Sequence, residues 1–377
     1  MSTGSTVAPA FLTGRTLHVL LGDIRGGHRL TPDEAAALLK VRGRDVWRVA
    51  NAADEQRERV VGDAVTYVRN QNINVTNICI NSCGFCGFSR KPKDKDAYHF
   101  PAEVVREKAA LARSRGVTEI CTVSGLHPDF DAGSYLEIIS CIREGAPGVH
   151  IHASNPMEVA YGAGKSGIPT IEMLGLMKEA GLGSLCGTAA EILVDGVREV
   201  ICPGKVSTKD WVRIIREAHS LGIRSTATIM YGHCETVEDQ ARHLALIRDI
   251  QDETGGFTEF VPLSFIHRET PLFRKGLARA GATGREDLLM TAVSRLFLDN
   301  IPHIQVSWVK LGLKMAQICL LAGGDDLGGT MFEESISKGA GAVDTDYLDP
   351  EEMRRMAGDI GRTLKQRTTL YTDPGHT

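Results

Sequence analysis

The sequence predicts an α/β protein whose main body is a (β/α)8 barrel of the TIM type, preceded by a helical N-terminal extension. From about residue 73 onward, short β-rich segments alternate with amphipathic helical periods, a pattern typical of parallel βαβ units. About eight such units fit into roughly 255 residues, which matches the size of one barrel. Polar or glycine-rich residues follow the predicted strands, as at Ser124-Gly125 and Ser154-Asn155. In a barrel these tails meet at the carboxyl face, where active sites lie.

The segments before and after the barrel are expected to be helical. Thr31-Pro32-Asp33-Glu34 combines an N-cap residue, a proline at the first helical position and a capping-box glutamate. A second helix is predicted over residues 45–70 and a C-terminal helix over residues 350–366. We therefore divide the chain into a helical N-terminal extension (1–70), a barrel (71–345) and a C-terminal helix with a tail (346–377).

Eight strands are predicted within the barrel. They lie at 73–78, 118–123, 149–153, 184–186, 225–230, 258–263, 304–306 and near 324–327, with helices such as 101–115, 208–221, 237–252 and 285–298 between them. An open, doubly wound sheet is the alternative fold, because it is built from the same βαβ units.

Composition narrows the class of protein. The net charge of −4 gives no reason to expect nucleic acid or an anionic membrane as a partner. Apolar runs stay well short of the roughly 20 residues of a membrane span. The first 23 residues carry no charged region before their short apolar stretch, so a secretory signal is not indicated and a cytoplasmic location is expected. The nine cysteines are an odd number without a signal, which disfavours a disulfide framework.

Three cysteines cluster in the segment NINVTNICINSCGFCGFSRKP, just after the first predicted strand. Cys79, Cys83 and Cys86 could bind three irons of a [4Fe–4S] cluster and leave the fourth iron open to a small molecule. A zinc site completed by His99 and a set of unligated thiols are the alternatives. An electron carrier is also possible, but carriers normally ligate all four irons with protein.

The spacing C-x3-C-x-aromatic-C, with Phe85 as the aromatic residue, resembles that of the radical S-adenosylmethionine (SAM) superfamily. The resemblance implies that SAM binds the open iron through its methionine end. It also implies that one electron from the cluster cleaves SAM to give a 5′-deoxyadenosyl radical, which a closed barrel mouth would shield.

Further segments from about residue 70 to 342 resemble the tyrosine-dependent 4-hydroxybenzyl transferase half of Fo synthase. They include VSGLHPD, HIHASNPMEVAYGA, GTAAEILVDGVREVICPGK and DDLGGTMFEESIS. The resemblance implies that L-tyrosine and 5-amino-6-(D-ribitylamino)uracil are substrates, that a ferredoxin or flavodoxin donates electrons, and that the second Fo synthase subunit is a functional partner. Ser124 and Ser154-Asn155 depart from the family pattern. A paralogue with another acceptor and a menaquinone-pathway enzyme acting on a futalosine-type nucleoside therefore stay open.

The resemblance implies roles for residues at the ends of the predicted strands. We expect the cofactor to be bound by Phe85, Ser124, Gly125, Thr188, Glu191 and Met230. Catalytic roles are expected for His152, Tyr231 and His233, and substrate contacts for Ser154, Asn155, Glu259 and Gln305. Each has a structural alternative: Glu191 could complement a helix dipole, and each histidine could be a hydrogen-bonded core residue. Asp325-Asp326 could bind magnesium, and the charged run 91–96 could act as a lid.

Overall fold

The computed structural model describes residues 14–343 and 346–372. The helices are α1 (Gly14–Arg25), α2 (Pro32–Leu39), α3 (Asp45–Val61), α4 (Ala102–Ser114), α5 (Ala132–Gly145), α6 (Pro156–Ser166), α7 (Thr170–Ala180), α8 (Asp195–Ile201), α9 (Thr208–Ser220), α10 (Val237–Thr254), α11 (Pro271–Arg274), α12 (Gly284–Phe297), α13 (Trp308–Leu320), α14 (Ile336–Gly339) and α15 (Pro350–Asp359). The strands are β1 (Ala64–Val68), β2 (Asn70–Asn72), β3 (Glu119–Thr122), β4 (His150–Ala153), β5 (Ser184–Leu185), β6 (Arg224–Tyr231), β7 (Phe257–Ser264), β8 (Asp326–Gly329) and β9 (Thr363–Arg367).

The strands form a closed parallel barrel, as the sequence predicts. Strands β2 to β7 pair in chain order, and β8 pairs in parallel with β1, which runs on into β2. The seventh position is reduced to two bridges, in which Ile304 pairs with Phe260 and Gln305 pairs with Asp326. These bridges join β7 to β8, so the sheet has no open gap and the doubly wound alternative is wrong.

Local sequence signals fix several helix starts. The predicted capping box at Thr31 is present, since its hydroxyl accepts from the Glu34 N–H while the Glu34 carboxylate accepts from the Thr31 N–H. The apolar faces of most helices cover the outside of the strands and form one large core with β3 to β7, while α13 and α15 form a second apolar cluster with β1 and β8. The helices α2 and α3 of the N-terminal segment pack on the outside of α10 and α12.

Two segments predicted as helix are strands instead. Residues 64–68 form β1 rather than the end of a helix, because α3 stops at Gly62, whose φ of 71° breaks the helix. Residues 363–367 form β9, which pairs in parallel with β1 from Ala64↔Thr363 to Val68↔Arg367. The first strand also begins earlier than the predicted 73–78. The pairing of β1 with β8 and β9 depends on residues distant in sequence, which local periodicity does not reveal.

Strand β9 brings the C-terminal segment across the amino end of the barrel. Its burial alternates, and Arg367 at its end is buried inside the barrel. Tyr371 then stacks on His303 with ring centroids 3.6 Å apart. The C-terminal segment therefore forms a floor beneath the barrel interior.

Within residues 14–343 and 346–372, the helices are either too short or too polar to cross a membrane. Residues 1–13, which make up most of the segment considered for a secretory signal, lie outside the described residues. The end of the predicted tail, residues 373–377, also lies outside them.

Candidate active site

A cavity of about 370 Å³ runs through the barrel from the cysteine loop to the C-terminal floor. The loop after β2 and the ends of β3 to β8 line it. Several of the site residues expected from the sequence share this wall: Cys79, Cys83, Phe85, Cys86, Ser124, Gly125, His152, Asn155, Thr188, Glu191, Met230, Glu259 and Gln305.

Backbone hydrogen bonds and close backbone packing help to hold the cysteine loop. The Gly84 N–H donates to Ile201 O (2.8 Å), and the Leu272 N–H donates to Gly84 O (2.7 Å). Gly87 packs so closely on the next segment that a Cβ there would lie 2.1 Å from Gly339 O. The loop is therefore fixed on both sides, which orients the thiols before any ligand binds.

The three thiols fit an iron–sulfur cluster better than a zinc ion. Cys79, Cys83 and Cys86 all line the cavity, and burial raises the pKa of Cys83 to about 12, so a bound metal would have to displace its proton. His99, the expected fourth zinc ligand, instead packs against Phe130 with ring centroids 5.2 Å apart and does not line the cavity. A set of three thiolates with an open side toward the cavity is what a cluster with one free iron requires.

Beside the loop, Glu191 and Lys205 form a largely buried ion pair. Their Oε1 and Nζ atoms are 2.5 Å apart, and Nζ lies 5.1 Å from the centre of the Phe85 ring. Burial lowers the pKa of Lys205, but Glu191 and the nearby thiols outweigh this effect and the net shift is upward. Glu191 precedes α8 by a full turn and adopts φ +46°, so it does not act as the first-turn helix acid of the structural alternative.

Thr188 supplies a polar group without a partner to the same wall. Its buried hydroxyl has no hydrogen-bond partner among the described residues, and neither does Glu158 Oε2. Buried polar groups are nearly always hydrogen-bonded in native proteins, so unpaired ones beside a cavity indicate a ligand site.

Ser124 and Gly125 are used largely by the fold. The Ser124 hydroxyl accepts from the Val75 N–H (2.9 Å), and its own N–H donates to Glu158 Oε1 (3.1 Å). A Cβ at Gly125 would lie 2.3 Å from Ile78 O, so only glycine fits. Ser124 therefore bonds the end of β3 to the segment after β2.

Ser154 and Asn155 also differ from their expected substrate roles. Asn155 is the N-cap of α6, and its Oδ1 accepts from the N–H groups of Met157 and Glu158. Ser154 has a strained φ of 56° and is not part of the cavity wall. Asn155 borders the cavity, but its oxygen is taken by the helix.

His152 faces the cavity from β4. Its Nδ1 lies 2.7 Å from Ser184 Oγ, and the same hydroxyl is 2.8 Å from His150 Nε2. Burial lowers the pKa of His152 to about 4, so the ring is neutral at physiological pH. Of the two histidines on this strand, His150 and His152, only His152 lines the cavity.

The structure does not bring Tyr231 and His233 into the cavity, so their expected catalytic roles need correction. The Tyr231 hydroxyl donates to Asp287 Oδ1 (2.8 Å) in the core outside the barrel wall. His233 is fully buried, with Nε2 3.0 Å from Met230 O and Nδ1 3.1 Å from Glu235 Oε2. Both residues hold the end of β6, whereas the side chain of Met230, the residue before Tyr231 in that strand, lines the cavity.

Glu259 and Gln305 lie in an ionic network at the floor. The Gln305 amide donates to Glu259 Oε2 (3.2 Å), and so does Arg367 Nη2 (3.1 Å). Arg367 also makes two bonds to Asp326, at 2.5 and 2.9 Å. Burial raises the pKa of Glu259 even though Arg367 opposes the shift.

The pair Asp325-Asp326 does not provide a magnesium site, since both carboxylates are already neutralised by arginine. Asp325 Oδ1 is 2.6 Å from Arg295 and its Oδ2 is 2.7 Å from His303. The charged run 91–96 forms exposed turns tied by Arg90 to Asp96 (2.7 Å).

Sequence patterns missed several residues of the wall. Glu119, Glu158, Lys205 and Arg367 all line the cavity; Glu158 and Lys205 lie within segments that carry the family resemblance, but none of the four stands out from the sequence as a site residue. A charged residue inside an otherwise apolar strand, as at Glu119, is the signal that could have found one of them.

The closed barrel and the three-cysteine loop that follows its first strand define the class: this is a radical SAM enzyme. A model of the radical SAM superfamily matches residues 73–247, and a model of the CofH/MqnC C-terminal region matches residues 254–373. Membership of this superfamily implies SAM and a [4Fe–4S] cluster as cofactors.

Curated relatives define the family more narrowly. The 5-amino-6-(D-ribitylamino)uracil–L-tyrosine 4-hydroxyphenyl transferase of Methanosphaerula palustris is 70% identical over 94% of this chain and 97% of its own. That of Methanothermobacter thermautotrophicus is 49% identical over 91% and 94%. FO synthase of Mycobacterium leprae is 45% identical over 90% of this chain and 40% of its own. The chain belongs to the family of 5-amino-6-(D-ribitylamino)uracil–L-tyrosine 4-hydroxyphenyl transferases, which confirms the resemblance found in the sequence.

Solved structures support the fold. Methylornithine synthase gives a TM-score of 0.72 at 19% identity, with 91% of this chain and 97% of that chain covered. The [FeFe]-hydrogenase maturase HydG gives 0.74 at 16% identity, with 96% and 78% covered. At these identities the comparison shows the shared architecture and carries no substrate information.

Proposed function

We propose that the chain cleaves L-tyrosine and joins its 4-hydroxybenzyl group to 5-amino-6-(D-ribitylamino)uracil, a step in deazaflavin biosynthesis. The observation that carries this proposal is the 70% identity to a transferase of that name across nearly the whole of both chains. The names of the relatives favour this reaction over the futalosine alternative. The cavity supports it further, because three thiols line one end and polar side chains such as Glu191 and His152 project from an otherwise mainly apolar wall.

In this proposal Cys79, Cys83 and Cys86 hold the cluster, which together with SAM supplies a carbon-centred radical for hydrogen abstraction. Glu191 and Thr188 face that end of the cavity and offer a carboxylate and a free hydroxyl to amine or ribose groups. Met230 provides an apolar contact beside them, and the barrel wall excludes water from the reacting atoms.

The substrates would occupy the middle of the cavity, between the loop and the floor. His152, neutral and pointing inward, is the best-placed candidate to contact them. Glu259 and Gln305 present the remaining polar surface at the floor, where the pyrimidine and ribityl groups need hydrogen bonds. Tyr231 and His233 act at a distance by fixing the end of β6.

The reaction needs two further participants that the chain itself does not supply. A ferredoxin or flavodoxin would deliver the electron, and the second Fo synthase subunit would consume the adduct. A cytoplasmic location is consistent with both.

The test is an anaerobic assay of the reconstituted full chain with reductant, SAM and tyrosine, run with and without the uracil. Mass spectrometry follows 5′-deoxyadenosine and the hydroxybenzyl adduct. We expect an adduct only when the uracil is present. We also expect its loss in Cys83→Ala and its retention in Cys141→Ser, which changes a cysteine buried in α5 outside the cavity.

The other outcomes are equally informative. Deoxyadenosine without the adduct would keep the radical chemistry and refute this acceptor. A protein with an intact cluster and a working reductant that forms no deoxyadenosine would refute the proposed reaction.

A further inference from the structure

Cys121, His152 and Cys186 form a compact group of donors deeper in the cavity than the cysteine loop. One ligand atom from each lies within 4.8 Å of the others, and within residues 14–343 and 346–372 no other group of three such side chains is so compact. All three line the cavity. None belongs to the motif that identified the superfamily.

The barrel register explains why these side chains converge. Cys121 on β3 pairs directly with His152 on β4, and His152 pairs with Ser184 on β5. Cys186 follows Ser184 by two residues, so it points to the same side of the sheet. Three neighbouring strands therefore direct two sulfurs and one imidazole at a single point, and the backbone holds them there.

His152 is already oriented as metal-bound histidines are. Its Nδ1 is 2.7 Å from Ser184 Oγ, which leaves the other ring nitrogen for an ion. Metal-ligating histidines almost always donate the N–H of their other ring nitrogen to an acceptor, and the Ser184 hydroxyl oxygen can take that role here. Ser184 also contacts His150, so the supporting hydroxyl is itself held in place.

We propose that Cys121, His152 and Cys186 bind one soft divalent metal ion, Zn²⁺ by preference, with a fourth position open to the cavity. Each thiol would release one proton on binding, and two thiolates would neutralise the ion, which favours binding in a buried place. Two sulfurs, one nitrogen and one open position are a zinc arrangement compatible with binding a water molecule or a substrate oxygen. His152 would then contact the ion directly and any substrate only through it.

The test measures metal content without turnover. The full chain is purified anaerobically, loaded with Zn²⁺, freed of loose ions and analysed for iron and zinc separately by mass spectrometry. We expect about one zinc per chain besides the cluster iron. Cys186→Ser and His152→Gln should each lower the zinc at least about fivefold, as loss of a ligand does. Cys141→Ser, a buried cysteine outside the cavity, should retain it.

A second measurement separates this site from the cluster loop. A variant with Cys79, Cys83 and Cys86 all changed to serine should keep the zinc and, with Co²⁺ instead, show intense sulfur-to-cobalt absorption that disappears when Cys121→Ser is added. Zinc lost from the loop variant but kept in Cys186→Ser would overturn the proposal, as would a chain with no bound zinc or with a Cys121–Cys186 disulfide. If Cys186→Ser fails to fold, Cys121→Ser and His152→Gln answer the same question.

Discussion

The two ends of the barrel cavity differ in how far their polar groups are paired within the protein. At the upper end, the hydroxyl of Thr188 and one oxygen of Glu158 have no hydrogen-bond partner within the described part of the chain, and the three thiols of the cysteine loop line the cavity. At the floor, Glu259 and Asp326 are both bound by Arg367. Unpaired polar groups beside a cavity are available to bind a ligand. Buried charges that are paired with one another contribute instead to the stability of the fold, because losing one partner is costly. Substitutions at the two ends should therefore fail in different ways.

The largest effect is expected at the upper end, from Cys83→Ala. Loss of one thiolate should prevent stable cluster binding, so deoxyadenosine formation should fall at least about 1000-fold while the fold survives. Iron content, circular dichroism and product analysis check this. Cys141→Ser is the control and should keep cluster and turnover. Normal activity in Cys83→Ala would mean that this thiol is not a ligand.

At the floor, Arg367→Met should damage stability first. It leaves Glu259 and Asp326 buried without their cation, which typically costs about 3–5 kcal/mol of unfolding free energy. Denaturant unfolding measures the loss. Lys365→Met, an exposed change on the same strand, should cost little. Equal stabilities for the two variants would contradict the structural role of the floor.

Glu158 provides a further test of the difference between the two ends. It is a buried carboxyl group at the upper end of the cavity, and burial raises its pKa from 4.5 to about 8. Between these values the folded chain keeps a proton that the unfolded chain has lost, so stability should fall as the pH rises through this window. The unfolding free energy of Glu158→Gln should therefore fall less steeply with pH in this window, by up to about 1.4 kcal/mol per pH unit. Urea midpoints from pH 5 to 8 test it, with exposed Glu172→Gln as the control that keeps the slope of the parent.

The smallest effect is expected for Ser124→Ala. The change removes the acceptor of the Val75 N–H and should lower the unfolding free energy by about 1 kcal/mol. The KM for SAM should stay within about twofold, because the hydroxyl is used by the fold. A large rise in KM with unchanged stability would show that Ser124 contacts the cofactor after all.

The sequence predicted those features that are encoded over a few residues. The alternation of strands and helices, the capping box at Thr31 and the spacing of the three cysteines are all local, and the structure contains each of them. The sequence did not predict β1, although Gly62 marks the end of the helix that precedes this strand. A short strand next to a long helix has too weak a period to stand out.

Most of the cavity wall depends on partners far apart in the chain. Lys205 meets Glu191 across 14 positions and Arg367 meets Glu259 across 108, and neither pairing leaves a local pattern. The same limit explains why the position of Tyr231 was not predicted, since its hydroxyl bonds Asp287, 56 positions further along the chain. His233 is different, because Met230 O and Glu235 Oε2, three and two positions away, hold its ring in the core. A charged residue inside an otherwise apolar, buried segment was the sequence feature that could have indicated residues of the cavity wall.

The pairing of β1 with β9 also bears on how the protein is made. A hydrogen bond between Tyr67 and Gln366 joins residues 299 positions apart. During synthesis, β1 must wait with an unpaired edge until almost all of the barrel has been translated, and edges of that kind attract other chains. Closing so long a loop is slow, so the last step of folding should limit the yield of active protein. Slower translation or a chaperone that shields β1 should therefore raise the folded fraction without changing the stability of the finished enzyme.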